Sequence, residues 1–247
     1  MKAKKSLGQN FLHNTAILQK MVLAAEITPE DLVLEIGPGT GTLTDEILKT
    51  GARIIAVEKD DTFAENLKTK YIGKNIEIVH EDILTFQPSL VIRHSNFVIV
   101  GNIPYYLTGH LLRLMLTTWP PFKVAVLMVQ KEVAKRMIAK PPEMNMLAVL
   151  TQCYTKAELV QIVKRGNFVP VPKVDSAIVK LTPSQPPPRG EVKVGVLELA
   201  AKGFQHPRKK LANNLPKELL EQAGIEGNRR AETISLDEWK KISQTVV

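Results

Sequence analysis

The sequence predicts a doubly wound α/β domain followed by a small, all-helical region. Short apolar runs alternate with helical patterns from about residue 14 to residue 150, as they do in parallel sheets covered by helices. A proline-rich stretch then interrupts the chain, and only short helical patterns follow it. With 247 residues, 44% of them hydrophobic, the chain can build a sizeable core.

The elements of the α/β region can be assigned in order. The first helix is predicted in "NTAILQKMVLAAE", where apolar residues recur at helical spacing and Asn14 can cap the helix. Five later runs have the composition of buried parallel strands: "DLVLEIG", "ARIIAVE", "NIEIVHED", "FVIVGN" and "KVAVLMVQ". Ligands of such sheets bind at the carboxyl ends of the strands, so the residues there predict a pocket. They are Gly37, Glu58, Asp82, Asn102 and Gln130.

The helical region begins after a predicted linker. Residues 184–190, "SQPPPRG", are too rich in proline to form a helix or a central strand. Short helical patterns follow in "VGVLELAAKGF", "KKLANNL", "PKELLEQAG" and "LDEWKKISQ". The predicted division is therefore an α/β domain over residues 1–183 and a linker with a helical domain over residues 184–247.

Bulk composition limits the classes of function. A formal charge of +8 and a pI near 9.5 favour a polyanionic partner, although charge alone is weak support for nucleic acid. The single cysteine, Cys153, excludes an internal disulfide framework, and no Cys or His spacing suits zinc. No apolar run approaches the ~18 residues of a membrane span, and a secretory signal is missing. These features predict a cytoplasmic protein without a metal or a membrane partner.

A glycine-rich turn predicts a nucleotide site. In "LEIGPGTGTLT", Gly37, Gly39 and Gly41 follow a strand and precede a helix, where glycine lets a nucleotide approach the backbone closely. Glu58 ends the next strand and can bind ribose hydroxyls. A structural turn with a solvated acid is the alternative, and a dinucleotide dehydrogenase has a similar turn. The G-x-G-x-G spacing after Glu35, with an acid after the third strand, favours S-adenosylmethionine.

Other polar residues have two interpretations each. Asp82 in "HEDIL" can accept a hydrogen bond from the exocyclic amine of an adenine, or it can cap a helix. Gln9, Asn10 and Leu12 precede the first helix, and their own pattern indicates only capping and packing.

The segment "FVIVGNIPYYLTG" ends a buried strand with an amide, a proline and two aromatic rings. A nucleobase amine is a poor nucleophile, but two acceptors at its protons can draw it toward tetrahedral geometry. The Asn102 carbonyl can be one acceptor, and Pro104 favours an extended Ile103 whose backbone carbonyl can be the other. Tyr105 can stack on the base, an interaction of roughly 1–3 kcal/mol. Phe168 in "GNFVPVPKVDS" can cover the other face, although a phenylalanine there is more commonly a core residue.

Seven motifs resemble, in order, the blocks of the ribosomal RNA adenine dimethyltransferase family. They are "GQNFL", "EIGPGTGTLT", "VEKD", "GNIPYYLT", "MVQKEVAKRM", "NFVPVPKVDSAIVKL" and "HPRKKLANNL". The resemblance covers nearly the whole chain; Ile103, where leucine is common, is a mild departure. The ending "RRAETISLDEW" resembles the KsgA/RsmA branch, which dimethylates two adjacent adenines near the 3′ end of 16S ribosomal RNA. The macrolide-resistance branch, which acts on 23S RNA, is the nearest alternative.

The resemblance implies the fold, the cofactor and the partner. It implies a Rossmann-like seven-stranded methyltransferase sheet with a small helical C-terminal domain, and S-adenosyl-L-methionine as the methyl donor. It also implies that the protein is a monomer and that its partner is 16S rRNA in the 30S subunit or its precursor. It implies that Asn102, Ile103, Pro104, Tyr105 and Phe168 handle the target adenine. The implied cofactor contacts are Gln9, Asn10, Leu12, Gly37, Gly39, Glu58, Asp82 and Asn102.

Basic clusters are the candidate RNA contacts. A target adenine must leave its stack to reach the pocket, at a cost of a few kcal/mol that basic surface must help to offset. The clusters are Lys131, Lys135 and Arg136 in "QKEVAKRM" and Arg208, Lys209 and Lys210 in "HPRKK", with Arg229 and Arg230 behind them. Each cluster can also be a solvated helix face. A binding protein with an idle pocket on the same fold is the competing class, and the intact pocket residues argue against it.

Overall fold

The computed structural model describes residues 9–91, 97–184 and 191–245. Most of the predicted linker, residues 185–190, lies outside them. The chain forms a seven-stranded sheet and a separate two-stranded sheet. The strands are β1 (Phe11–Leu12), β2 (Leu32–Ile36), β3 (Arg53–Glu58), β4 (Ile76–His80), β5 (Phe97–Asn102), β6 (Val124–Gln130), β7 (Thr155–Val163), β8 (Phe168–Val169) and β9 (Ser176–Pro183).

The seven strands of the large sheet have the order β4-β3-β2-β5-β6-β9-β7. The five predicted strands, β2 to β6, run parallel to one another, and β9 pairs antiparallel with β6. The chain order reverses between β2 and β5, where Ile36 lies opposite Gly101. In a doubly wound sheet this reversal opens a crevice at the carboxyl ends of the two strands. The predicted seven-stranded α/β class is confirmed.

Ten helices accompany the strands in the described part of the chain. They are α1 (Thr15–Ala24), α2 (Thr42–Leu48), α3 (Asp61–Lys70), α4 (Pro88–Val91), α5 (Thr108–Thr117), α6 (Lys131–Met137), α7 (Met146–Tyr154), α8 (Glu191–Gly203), α9 (Lys217–Gln222) and α10 (Leu236–Gln244). Asn14 caps α1 as predicted, because its side chain accepts a hydrogen bond from Ala16 N at 3.1 Å. Within these ranges, no helix has both the length and the apolar character needed to cross a bilayer.

The chain divides into two compact units. The first falls within Met1–Ala134 and Glu158–Pro183, and the second within Lys135–Ala157 and Ser184–Val247. The sequence predicted a single division after residue 183, so the structure differs over Lys135–Ala157. The physical reason is α7, whose Ala148 and Val149 belong to the same buried cluster as Trp239 of α10. No change in composition marks this segment as part of the helical unit.

Each unit has its own apolar core. In the first unit, Met21 of α1, Val98 of β5 and Val126 of β6 are completely buried in one cluster. In the second unit, Trp239 is completely buried and its ring lies against Phe204, with a centroid distance of 5.8 Å. Burial of apolar side chains therefore stabilises both units.

Candidate active site

A pocket lies at the carboxyl ends of β2, β3 and β5, where the sheet order reverses. Ten of the predicted residues line it, and four do not: Leu12, Gly41, Gln130 and Phe168. Those that line it are Gln9, Asn10, Gly37, Gly39, Glu58, Asp82, Asn102, Ile103, Pro104 and Tyr105. The residue that ends β6, Gln130, is not among its lining residues. The carboxyl ends of the strands therefore form one site in the first unit.

The glycine turn forms one wall of the pocket. Gly37 has φ +66°, and a Cβ added there would meet nothing within 4 Å, so this residue faces open space that a ligand can enter. Gly39 has φ +56°, and a Cβ there would lie 2.9 Å from Cε1 of Phe11. Both positions need glycine because of their positive φ. Gly37 keeps the pocket open, whereas Gly39 lets the Phe11 ring lie against the turn.

Glu58 is held rigidly beside this turn. Its side chain is buried, with 6% of the residue exposed. Oε2 accepts a hydrogen bond from Gly39 N at 2.9 Å, and Oε1 accepts one from Asp60 N at 2.8 Å. Burial raises the pKa of Glu58, and these two N–H donors partly oppose that shift. Each carboxylate oxygen keeps a second lone pair, which can accept a hydrogen bond from a ribose hydroxyl.

Asp82 lies two residues beyond the end of β4 and is bonded on both oxygens. Lys59 Nζ donates to Oδ2 at 2.7 Å, and Leu84 N donates to Oδ1 at 3.0 Å. The second bond closes a turn, and no helix begins there, so Asp82 does not cap a helix, which was the alternative interpretation of the sequence. Partial burial raises the pKa of Asp82, but the bonds from Lys59 and Leu84 outweigh it and hold the pKa below its usual value. Asp82 is therefore a fixed carboxylate acceptor.

The amide of Asn102 has a defined orientation. Nδ2 donates a hydrogen bond to the backbone carbonyl of Asn10 at 2.9 Å. Only the nitrogen can donate to a carbonyl, so the bond fixes which amide atom is the acceptor. Within residues 9–91, 97–184 and 191–245, no donor bonds Oδ1. Asn102 therefore offers an oriented acceptor to the pocket.

The next residues are fixed by their neighbours. Ile103 N donates to the Met128 carbonyl at 3.0 Å, and the Ile103 side chain is buried. The Tyr105 hydroxyl lies 2.9 Å from Oγ of the buried Ser176, which anchors the ring. Burial raises the pKa of Tyr105, so the phenol keeps its proton. The ring can supply a flat face without supplying a charge.

The family model for ribosomal RNA adenine dimethylase matches residues 1–246. The chain belongs to the ribosomal RNA adenine dimethylase family. It is 41% identical to the ribosomal RNA small subunit methyltransferase A of Dehalococcoides mccartyi, over 98% of this chain and 88% of that protein. It is 38% identical to the protein of the same name from Bacillus pumilus, over 98% and 91%.

Two solved structures are similar to the chain over nearly its full length. The 23S rRNA methyltransferase ErmE has a TM-score of 0.78 and 28% identity, covering 96% of this chain and 99% of its own. A dimethyladenosine transferase from Plasmodium falciparum has a TM-score of 0.79 and 28% identity, covering 94% and 95%. The chain therefore has a methyltransferase fold of the ribosomal RNA adenine dimethylase family.

Two residues of the predicted site lie in the core of this family member. Leu12 and Phe168 oppose each other in the β1–β8 pair, and Phe168 is only 1% exposed. Both side chains belong to the core cluster of the first unit and neither lines the pocket. The Leu12 carbonyl accepts a hydrogen bond from the Thr42 hydroxyl at 3.3 Å. The expected stacking of Phe168 on a base does not fit this geometry, because packing in the core occupies the ring.

The predicted basic clusters are solvent-accessible. Lys135, Arg136 and Arg208 to Lys210 are exposed, whereas Lys131 is partly buried. Among the described residues, none of these side chains forms an ion pair. Arg229 differs, because its guanidinium bonds both carboxylate oxygens of Glu238 and the Thr233 carbonyl. Arg229 therefore stabilises the helical unit, which corrects its assignment beside the RNA contacts. Nη1 of Arg230 lies 3.6 Å from Oε1 of Glu232, so Arg230 also forms an ion pair.

Several residues of the site escaped sequence reasoning. Phe11, Lys59 and Tyr106 line the pocket, and Ser176 anchors Tyr105. The "VEKD" motif contains a signal for Lys59, a cation next to the acid that ends β3. Phe11 and Tyr106 stand next to the predicted Asn10 and Tyr105 in the quoted motifs, whereas the contact of Ser176 with Tyr105 joins distant parts of the chain and leaves no local pattern. In the described part of the chain, no group of three or more His, Cys, Asp or Glu side chains could hold a metal ion.

Proposed function

We propose that the protein transfers methyl groups from S-adenosyl-L-methionine to the 6-amino groups of two adjacent adenines near the 3′ end of 16S rRNA. The observation that carries this proposal is the oriented amide of Asn102 at the reversal point of a methyltransferase sheet. The family and the names of the relatives at 35–41% identity support the reaction and the small-subunit substrate. A 23S substrate has weaker support, because ErmE is 28% identical.

The residues present fit the cofactor. Open space above Gly37 accommodates a ligand against the turn, and Glu58 offers lone pairs to a ribose. Asp82 can accept a hydrogen bond from the adenine amine while Lys59 holds it ionised. When bound, the cofactor supplies an electrophilic methyl group.

Asn102 and Ile103 would act on the target amine. Oδ1 of Asn102 and the Ile103 carbonyl accept hydrogen bonds from its two N–H groups, which frees the nitrogen lone pair for attack. The methylated nitrogen then carries a positive charge and loses one proton to solvent, so no strong side-chain base is needed. Tyr105 holds the base by stacking, while Ser176 keeps the ring in place. Rate acceleration then comes mainly from positioning and from exclusion of water, since direct transfer to an aligned amine requires no covalent enzyme intermediate.

The deciding experiment uses under-methylated 30S subunits and labelled cofactor, followed by mapping of the modified nucleotides. Label is expected on two adjacent adenines near the 3′ end of 16S rRNA. Label on 23S RNA alone, or no transfer to either RNA, would reject the proposal.

The first variant to test is Asn102→Ala. Loss of one preorganised acceptor should slow single-turnover methyl transfer by about 100-fold or more at saturating cofactor and RNA. RNA affinity should change little, because phosphate contacts dominate it. Tyr105→Phe is the matched control, since it keeps the stacking ring and loses only the hydrogen bond to Ser176. A folded Asn102→Ala enzyme with the normal rate would exclude the amine-accepting role.

A further inference from the structure

An exposed apolar segment lies next to the pocket. Val169, Val171 and Val174 are 56%, 60% and 44% exposed, and Pro170 between them is also exposed. Pro172, in the same segment, is buried. Exposed apolar side chains that cluster in a few residues indicate an interaction surface, whereas single ones need no explanation. We call residues 169–174 the valine loop.

The valine loop is held at both ends. At its start, Val169 pairs with Phe11 in the β1–β8 sheet. After it, Asp175 accepts hydrogen bonds from Arg165 N at 3.1 Å and from Lys164 Nζ at 3.3 Å. Prolines at positions 170 and 172 restrict φ within the loop. The loop therefore presents its valines on a braced backbone.

Both ends of the valine loop also adjoin the proposed active site. Phe11, the partner of Val169, lines the pocket. Ser176, two residues after Val174, lies 2.9 Å from the Tyr105 hydroxyl. The loop thus starts at one wall of the pocket and ends at the anchor of the proposed stacking ring.

We propose that the valine loop is an apolar wedge that fills the place left in the RNA stack when the target adenine turns into the pocket. This inference rests on the proposed function, which requires the adenine to leave its stack. Apolar side chains that insert between bases compensate for lost stacking in other nucleic-acid complexes. Exposed Arg165 and Lys173 lie close to the valines in the sequence and favour RNA over a protein partner, because cations attract phosphates.

The test replaces the three valines together by Val169→Ser, Val171→Ser and Val174→Ser. Leu23→Ser with Ile72→Ser is the matched control, since both side chains are 77% exposed elsewhere in the same unit. The probe is a protein-free 3′-terminal 16S fragment with 2-aminopurine in place of the target adenine, whose fluorescence rises on unstacking. Cofactor affinity and the melting temperature are measured in parallel.

The wild type and the control should raise the fluorescence equally, and the triple-serine variant should raise it about tenfold less at saturating protein. Its methylation of 30S subunits should slow by a similar factor, while cofactor affinity stays unchanged. Normal fluorescence and a normal rate in the triple-serine variant would overturn the wedge. Normal fluorescence combined with lost 30S affinity would also overturn it and assign the loop to a ribosomal protein. A wild type that methylates no RNA would instead refute the proposed function.

Discussion

At the scale of single residues, the site combines groups that the sequence identifies with groups that only the fold explains. Glu58 and Asn102 are recognisable because they end strands and are chemically unusual there. Glu35 is different: it is completely buried in β2, and neither of its carboxylate oxygens has a hydrogen-bond partner among the described residues. Burial, reinforced by the charges of Asp45 and Glu58, raises the pKa of Glu35 to about 8. Glu35 is therefore a neutral acid below that pH.

Glu35 should make stability depend on pH. Its pKa is near 4.5 in the unfolded chain and higher in the folded protein, so the folded state binds more protons between these values. The stability contribution is complete below pH 4.5 and is lost as the pH rises toward 8. Glu35→Gln should remove this dependence, so its stability relative to the wild type should rise by about 3–4 kcal/mol between pH 5 and pH 8. Urea unfolding at pH 5 and pH 8 measures the difference. Parallel pH profiles would show that Glu35 titrates normally.

At the scale of elements, strand composition predicts the five parallel strands, because strands buried on both faces are apolar throughout. The two-residue strands β1 and β8 are too short to show the alternation of apolar and polar residues that predicts a strand. Their pairing joins residues that are more than 150 positions apart, and it moves Leu12 and Phe168 from the predicted site into the core. Likewise, the apolar stripe of α7 predicts a helix but does not indicate which unit will bury it.

Phe168 should therefore act through stability. Phe168→Ala should lower the free energy of unfolding by about 3–5 kcal/mol, the usual cost of a large cavity. Phe168→Leu keeps most of the buried volume, so it should retain most of the stability and the normal rate of methyl transfer. Denaturant titration and single-turnover assays of both variants test this. A stable Phe168→Leu enzyme with a large loss of rate would restore the ring to the adenine site.

At the scale of the whole molecule, the net charge of +8 can attract RNA phosphates only where the cationic side chains are accessible. The structure separates them: Arg229 is bonded to Glu238, whereas Arg208 to Lys210 are exposed and form no ion pair among the described residues. Sequence composition predicts the excess of positive charge but cannot tell these two environments apart. The exposed groups are the ones expected to meet phosphates.

Binding of 30S subunits should weaken steeply with salt, with a log-log slope of about −0.7 to −0.9 per neutralised phosphate. Replacing Arg208, Lys209 and Lys210 by alanine should make the slope less negative by about two, if most of them contact phosphate. Affinity measured across a salt series tests this, with the same replacements at Lys131, Lys135 and Arg136 as a second set. An unchanged slope in either variant would identify that cluster as a solvated face.

The two tryptophans give each unit its own optical reporter. Trp239 is sealed in the core of the second unit, so its emission should be blue-shifted, whereas Trp119 of the first unit is partly exposed and should emit further to the red. Trp119→Phe leaves Trp239 as the single tryptophan, and its emission follows the second unit alone. Comparing its denaturation curve with the circular dichroism of the same sample then distinguishes concerted melting from stepwise melting. The burial of one indole thus makes cooperativity between the units measurable without an added dye.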